Sequence, residues 1–490
     1  MFAAVTSAAL VGVEPRPVRV EAHVSGGGKQ LFAVVGLPDA SVREARERVK
    51  SAIAASGHPF PGRHVTVNLA PADLPKAGSA YDLPIALGVL VAAGRIPAAA
   101  SRVVALGELA LDGGVRPARG GLAAGLVARA RGERCLVSAY GSGEAALSGA
   151  DVRGVASLAE AVAVAIGDHE GTAVIPPDGT AGPPLVDLAA IRGQTVGRRA
   201  LEVAAAGGHH LLLIGSPGAG KTMLARALPG VLPDLTPTET LEVAQAHSAA
   251  GRPIPLGARP PFRSPHHSAT PAAILGGGSG VPVPGELTLA DRGVLFLDEL
   301  AEFPRHLLDM LRQPVEEGSV HVARKGVSVT FPCRTQLVAA SNPCPCGYLG
   351  DGRTACRCNP AAVERYRGRL SGPFLDRFDL RVVVSRLDGI ELLAAEGESS
   401  AGVRNRVMDA RRIQRDRGLL NRELGRDRLD AMTWDEEARS LLAAAVDRWG
   451  LTGRGWDRVR RVARTIADLD RSEPVGGDHV AEALSLRAPV

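Results

Sequence analysis

The residues Gly215-Ser216-Pro217-Gly218-Ala219-Gly220-Lys221-Thr222 combine three glycines with a lysine and a hydroxyl, a set suited to wrapping a polyphosphate. Glycine lets successive backbone N–H groups turn toward phosphate oxygens, and a helix that starts there adds its positive end. Lys221 has the reach to neutralise the β and γ phosphates of ATP, and the Thr222 hydroxyl can ligate Mg²⁺. Further on, Gly293-Val-Leu-Phe-Leu-Asp298-Glu299-Leu300 is an apolar run that ends in two acids. In phosphoryl transfer the first, Asp298, helps to hold Mg²⁺, and the second, Glu299, orients and deprotonates the attacking water.

Three further polar residues follow. Asn342 ends the run Gln336-Leu-Val-Ala-Ala-Ser, where it can touch the γ-phosphate or the water, or simply form a turn. Arg377, within Gly372-Pro-Phe-Leu-Asp-Arg-Phe-Asp-Leu, can reach the γ-phosphate of a neighbouring subunit; the alternative is an ion pair with Asp376 or Asp379. Arg454 is the first choice for a second phosphate-sensing arginine, with Arg458 the alternative in the same Gly-Arg-Gly-Trp-Asp-Arg stretch.

Such groups must be held at the ends of strands. Leu211 to Ile214 reads as a buried strand before the glycine loop, and Met223 to Leu228 as the helix after it. Residues 185–385 alternate strands with helices, the pattern of a parallel sheet covered on both faces. Residues 1–170 also alternate short elements, with helices expected at Arg43 to Ser56 and Leu83 to Ala93 and a strand at Val65 to Asn68. The Gly-, Pro- and Thr-rich stretch 171–184 reads as a linker, and 386–490 as a helical, arginine-rich region. Ser319 to Ala323 and Val327 to Phe331 alternate apolar residues around Arg324-Lys325-Gly326, which predicts a hairpin with a basic tip.

Cys344, Cys346, Cys356 and Cys358 form two C-x-C pairs, four of the six cysteines in the chain. In a reducing compartment this clustering favours a metal over disulfides. Four thiolates suit tetrahedral Zn²⁺; free thiols and an iron–sulfur cluster are the alternatives.

The phrases Phe262-Arg-Ser-Pro-His-His-Ser, Pro284-Gly-Glu-Leu-Thr-Leu-Ala-Asp-Arg-Gly and Ser341-Asn-Pro-Cys-Pro-Cys-Gly are specific, as are Arg464-Thr-Ile-Ala-Asp-Leu and His479-Val-Ala-Glu-Ala-Leu. By these the chain resembles the ComM/YifB family of magnesium-chelatase-like AAA+ ATPases over nearly its whole length. The resemblance implies an α/β architecture: an AAA+ P-loop core with a helical lid, behind an α+β Lon-protease-like (ribosomal S5 domain 2-like) domain. It also implies a homo-oligomeric, hexameric ring and a DNA branch-migration helicase acting in natural transformation. Two insertions would face the pore: the glycine-rich loop 276–285 and the basic hairpin, whose Arg324 and Lys325 would grip DNA phosphates. His266 and His267 are either partner contacts or satisfied loop histidines.

The N-terminal region resembles Lon-type Ser-Lys proteases around Pro75 to Leu87 and Gly107 to Leu122. Where those enzymes carry the lysine this chain has Ala123-Ala124, and Ser79 is offset by one from the nucleophile's place. Lys76 is the nearest other lysine. A serine nucleophile needs a base beside it, so this domain is expected to be catalytically inactive and to bind or organise the ring.

At 490 residues the chain has room for about three domains, and an aromatic content of 3% makes their cores aliphatic. No apolar run reaches the ~18 residues that cross a bilayer, and Phe2 to Val13 lacks the basic start of a leader. A cytoplasmic protein is expected. The net charge of +5 fits a polyanion partner only weakly. Three functions compete: a DNA-moving ring ATPase, a magnesium chelatase motor subunit, and a regulatory ATP-binding platform. The Lon-like domain and the cysteine insert favour the first, and the full ATPase set disfavours the third.

Overall fold

The computed structural model describes residues 1–26, 31–36, 40–74, 76, 78–176, 186–255, 257–278, 282–324, 327–393 and 396–487. In Glu14–Val24 the buried Val18, Val20, Ala22 and Val24 alternate with Arg19, Glu21 and His23, which makes a strand with one apolar face. It pairs antiparallel with Phe2–Val11, from Phe2 opposite His23 to Val11 opposite Glu14. Eight strands form this sheet among the described residues, in the order Thr172–Ala173, Val152–Val155, Arg134–Ser138, Val103–Ala105, Phe2–Val11, Glu14–Val24, Val65–Ala70, Phe32–Val35. Helix Asp82–Ala92, apolar after its first residue, covers one face; Gly88 lets it lie directly on Val20 and Ala22. Helix Gly121–Arg131 covers the other, packing Ala123, Ala124 and Val127 onto Ala8, Val104 and Cys135. Thr172–Ala173, expected in the linker, instead pairs with Val152–Val155; linker residues 177–184 lie outside the described residues.

The second sheet runs Phe262–Arg263, Val294–Leu297, Gln336–Ser341, Leu211–Ile214, Leu380–Val383, every neighbouring pair parallel. Its three central strands are buried at every position, as a sheet covered on both faces requires. Helices Thr195–Gly207 and Lys221–Val231 bury one face, while Leu307, Leu308 and Leu311 of helix Arg305–Glu317 bury the other. The strand order sets the carboxyl ends of Leu211–Ile214, Val294–Leu297 and Gln336–Ser341 side by side, where ligands bind in open α/β sheets.

Helices Ser400–Asp416, Glu436–Trp449, Gly453–Leu469 and Gly477–Ser485 form the bulk of the C-terminal region. Val407, Val462 and Ile466 share one apolar cluster with Val203 and Leu213 of the sheet domain. The N-terminal domain meets that domain at Leu122 against Ala244 and Ile254, and at the turn Val11–Val13 against the hairpin that contains Phe331. No helix among the described residues is long and apolar enough to cross a membrane.

Candidate active site

The glycine loop leaves the strand Leu211–Ile214 and enters the helix Lys221–Val231. Gly218 and Gly220 hold φ of +78° and +91°, values that turn the loop N–H groups inward and that L side chains rarely adopt. Gly215 is glycine for space: a Cβ there would lie 2.1 Å from the Val384 carbonyl oxygen. Ser216 and Ala219 are buried under the loop, while Pro217 and Gly218 are exposed at its rim.

Lys221 is buried and donates to the carbonyls of Gly215 at 2.6 Å and Ser216 at 2.9 Å, and to Asn342 Oδ1 at 3.1 Å. Burial pulls its ammonium pKa down, and the charges of Asp298 and Glu299 oppose that shift. Thr222 Oγ1 donates to Asp298 Oδ2 at 2.9 Å, which puts a hydroxyl and a carboxylate together where a hard cation takes oxygen ligands. The donor set fits Mg²⁺, and the loop fits a triphosphate.

Glu299 follows Asp298 with φ of +52°, an uncommon backbone for a non-glycine residue, and its N–H is held by Asp298 Oδ1 at 3.0 Å. This turn takes the Glu299 side chain off the Asp298 direction. Its carboxylate lies 3.3 Å from Nδ1 of His267, which stacks on His266 with centroids 4.0 Å apart. His267 therefore makes an intrachain contact with the second acid, while His266 Nδ1 is engaged by Ser268. Arg263, from the same Phe-Arg-Ser-Pro-His-His phrase, forms a two-bond pair with Glu286 at 2.6 and 2.7 Å. Asp291 accepts from Arg334 N–H at 2.6 Å and pairs with its guanidinium at 2.9 Å. Two of the motif phrases are thus long-range clamps that fix the strand bearing Asp298.

Sequence reasoning missed Gln194. Its amide donates to Ala219 O at 2.8 Å and Ser385 O at 2.7 Å and ties the glycine loop to the outer strand, from a backbone φ of +51°. A single glutamine ahead of a helix carries no signal of that contact.

Arg377 sits at the other end of the sheet. Its neighbours include His210 and Thr335, which precede the strands whose carboxyl ends bear the loop and Asn342. A strand of four residues spans about 13 Å, so Arg377 is remote from its own glycine loop. Its pairing differs from both intrachain partners expected: Arg377 Nη2 meets Glu316 at 2.5 Å, Asp376 pairs with Arg381, and Asp379 with Arg458 at 2.7 Å. Arg377 is 8% exposed, and among the described residues its Nε and Nη1 meet no hydrogen-bond partner. Burial lowers its pKa, and Arg458 and Arg454 push the same way against Glu316. Arg458 is committed to Asp379 and to the Arg377 carbonyl. Arg454 is exposed at the start of its helix and contributes charge beside Arg377, away from the loop of its own chain.

The hairpin forms from Ser319–Arg324 and Val327–Pro332, with Arg324 opposite Val327. Arg324 ends the first strand; Lys325 and Gly326 lie outside the described residues. In the glycine-rich loop, Gly276–Gly277 pairs with Val283–Pro284, and 279–281 lie outside the described residues. In the N-terminal domain Lys76 is buried and donates to the Pro71 carbonyl, while Ser79 donates to Glu108.

The four cysteine sulfurs lie within 4.8 Å of one another, with Cys344–Cys346 at 3.4, Cys346–Cys356 at 3.6 and Cys344–Cys356 at 3.7 Å. Four sulfurs about 2.3 Å from one zinc would be about 3.8 Å apart, so the set fits that ion. The Cys346 N–H donates to Cys358 Sγ, and backbone N–H groups of Tyr348 and Arg357 draw the Cys346 thiol down to about 6.

The family described as magnesium chelatase, subunit ChlI, matches residues 187–392; its C-terminal family matches 397–487, and a further ChlI family matches 20–141. The YifB protein of Escherichia coli K12 is 43% identical over 488 residues, 98% of this chain and 96% of that one. Competence protein ComM of Haemophilus influenzae is 41% identical over 504 residues, 100% and 98% of the two chains. This chain belongs to the ComM/YifB family of magnesium-chelatase-like AAA+ ATPases. The magnesium-chelatase 38 kDa subunit of Rhodobacter capsulatus is 26% identical over 327 residues, 62% of this chain and 87% of the subunit. As a member of the ComM/YifB family the chain is an ATP-driven motor of the AAA+ class, and ATP with Mg²⁺ is what its site is built to take.

Proposed function

We propose that the protein is a ring-forming motor that hydrolyses ATP between protomers and uses the stroke to move DNA strands, as in branch migration. The observation that carries this reading is the separation of the ATPase groups to opposite ends of one sheet. Lys221, Thr222, Asp298, Glu299 and Asn342 gather at the carboxyl ends, whereas Arg377 and Arg454 stand at the amino ends. A complete site then requires the loop face of one protomer against the arginine face of the next, the head-to-tail contact that closes into a ring. A hexamer is the ring proposed.

In that seam the glycine loop and Lys221 hold the β and γ phosphates. Thr222 and Asp298 would hold Mg²⁺, which neutralises charge on the phosphate oxygens when bound. Glu299 takes the proton of the attacking water, and Asn342 orients it. Arg377 of the neighbour, its free nitrogens already stripped of water, meets the charge that develops on the γ-phosphate. Arg454 adds a second positive group beside it. Hydrolysis moves the helical region against the sheet domain, which displaces the pore hairpin and pulls the DNA.

DNA is the proposed load because the hairpin tip, Arg324-Lys325, is basic, and because the chain aligns end to end with a competence protein. The N-terminal domain is read as a ring-organising module, since Lys76 and Ser79 are each engaged elsewhere. Zinc is proposed at the four cysteines, and the cytoplasm as the compartment. A magnesium chelatase motor is the second reading, favoured by the matched ChlI families; the chelatase subunit aligns with only 62% of this chain. ATPase assays with single-stranded, duplex and branched DNA decide between them. Stimulation by branched DNA is expected, and a rate indifferent to every DNA refutes the DNA-motor reading.

A further inference from the structure

Residues 342–359 contain no helix or strand, yet Gly347 lies against Pro217 of the glycine loop, and Leu349, Gly350 and Asp351 line a cavity with Gly215 and Ser216. Gly347 adopts φ of +84° one residue after Cys346, and a Cβ on it would lie 2.6 Å from Pro217 Cδ and 2.8 Å from Cγ. The same point faces Asn342 Cγ at 3.8 Å. Five residues beyond Cys346, the buried Asp351 carboxylate lines the same cavity as Gly215 and Ser216 of the loop, and the Ser216 hydroxyl draws it below the usual carboxylate range. The Thr354 N–H donates to the same carboxylate at 3.0 Å, and Arg386 approaches it at 3.6 Å. The insert thus touches Ser216 and Pro217, two residues of the loop, as well as the residue that accepts from Lys221. These contacts place it on the loop; the sequence position of the cysteines, between Asn342 and Arg377, instead suggests a brace for Arg377.

Ordering each residue of a segment without backbone ladders costs about 1–2 kcal/mol of conformational entropy, so a further tie at its ends steadies these contacts. The sulfur cluster is what closes it: Cys344 and Cys346 lie on one side of the Gly347–Asp351 turn and Cys356 and Cys358 on the other. One ion bound to all four pins both ends of the turn that leans on the loop.

We propose that the four-cysteine insert is a metal-dependent brace of the nucleotide loop, so that zinc occupancy and nucleotide occupancy strengthen each other. Gly347 and Asp351 are the positioning residues that carry the coupling, through Pro217 and Ser216. This rests on the zinc reading given above. Linkage makes the effect reciprocal: the factor by which zinc tightens nucleotide binding equals the factor by which nucleotide tightens zinc. A coupling of about tenfold is within the range of about 5- to 150-fold for sites joined by a two-state element.

The test uses the full chain with excess Mg²⁺. Fluorescent ADP is titrated into zinc-loaded protein and into protein stripped by a zinc-selective chelator, and zinc release to a chromogenic chelator is timed with and without ADP. The expected result is about tenfold weaker ADP binding after stripping, reversed by adding zinc, and slower zinc release with ADP present. The variant Asp351→Asn keeps all four cysteines and guards against loss of folding in the stripped protein; it retains stoichiometric zinc, but its ADP affinity falls and ADP no longer slows release. Stoichiometric zinc with equal ADP affinity before and after stripping overturns the brace and leaves the zinc reading standing. No stoichiometric zinc overturns both.

Discussion

Removal of the Arg377 guanidinium separates catalysis from folding. In Arg377→Ala the seam loses the group that meets the developing γ-phosphate charge, worth about 10³- to 10⁵-fold in turnover, or about 4–7 kcal/mol of barrier. The fold loses little. Among the described residues the ion pair broken is with Glu316, whose 57% exposed carboxylate is screened by solvent even though Arg377 is buried, so its contribution is about 1 kcal/mol. Two guanidinium nitrogens have no partner among the described residues to lose. Urea midpoints should therefore nearly coincide with wild type while kcat collapses and nucleotide still binds. The decisive assay mixes Arg377→Ala with Lys221→Ala, each inactive alone. About one seam in four of a randomly mixed ring then joins an intact Lys221 to an intact Arg377, and a comparable share of activity returns. Turnover by Arg377→Ala at the wild-type rate, or mixtures as inactive as their parents, refutes the shared site.

Lys221→Ala abolishes ATP binding, measured with a fluorescent analogue, whereas Glu299→Gln retains ATP, blocks its hydrolysis and traps assembled rings visible by light scattering. Lys325→Ala weakens DNA binding at every sequence and lowers the slope of log K against log salt by about one, with basal ATPase unchanged. His210 is buried, which drives its pKa down to about 3, and its Nδ1 accepts the Leu337 N–H at 2.9 Å, so the fold requires the neutral ring. Below pH ~6.5 the unfolded chain takes up a proton that the folded one refuses. Stability is therefore full above that pH and falls by up to about 1.4 kcal/mol per pH unit as pH drops toward 3, a slope that urea titrations at pH 7 and 5 read and that His210→Gln flattens.

The glycine loop and the acids at Asp298 and Glu299 were legible because their chemistry is contiguous: each set is a strand end followed by the groups it presents. The hairpin was legible for the same reason, as two alternating runs with a short turn between them. Long-range pairings were not. Arg377 finds Glu316 rather than Asp376 or Asp379 because the end of helix Arg305–Glu317 returns beneath it, and nothing local encodes that. The contact of His267 with Glu299 and the anchoring of the loop by Gln194 depend in the same way on strand order. Helix starts in the arginine-rich region are set by caps that outweigh weak helix formers. Ser399 accepts from Gly402 N–H and Thr452 from Gly455 N–H, so the helices begin at Ser400 and Gly453, ahead of their first apolar residues. Thr172–Ala173 joined a sheet edge from within a composition that reads as linker.

If ATP consumed at the seam does work on DNA, a labelled four-way junction reads that work. Wild-type protein with ATP and Mg²⁺ is expected to drive the junction to separated duplexes, while Glu299→Gln binds the junction and leaves it intact. ATP turnover by assembled protein that leaves the junction unmoved would contradict the DNA-motor reading.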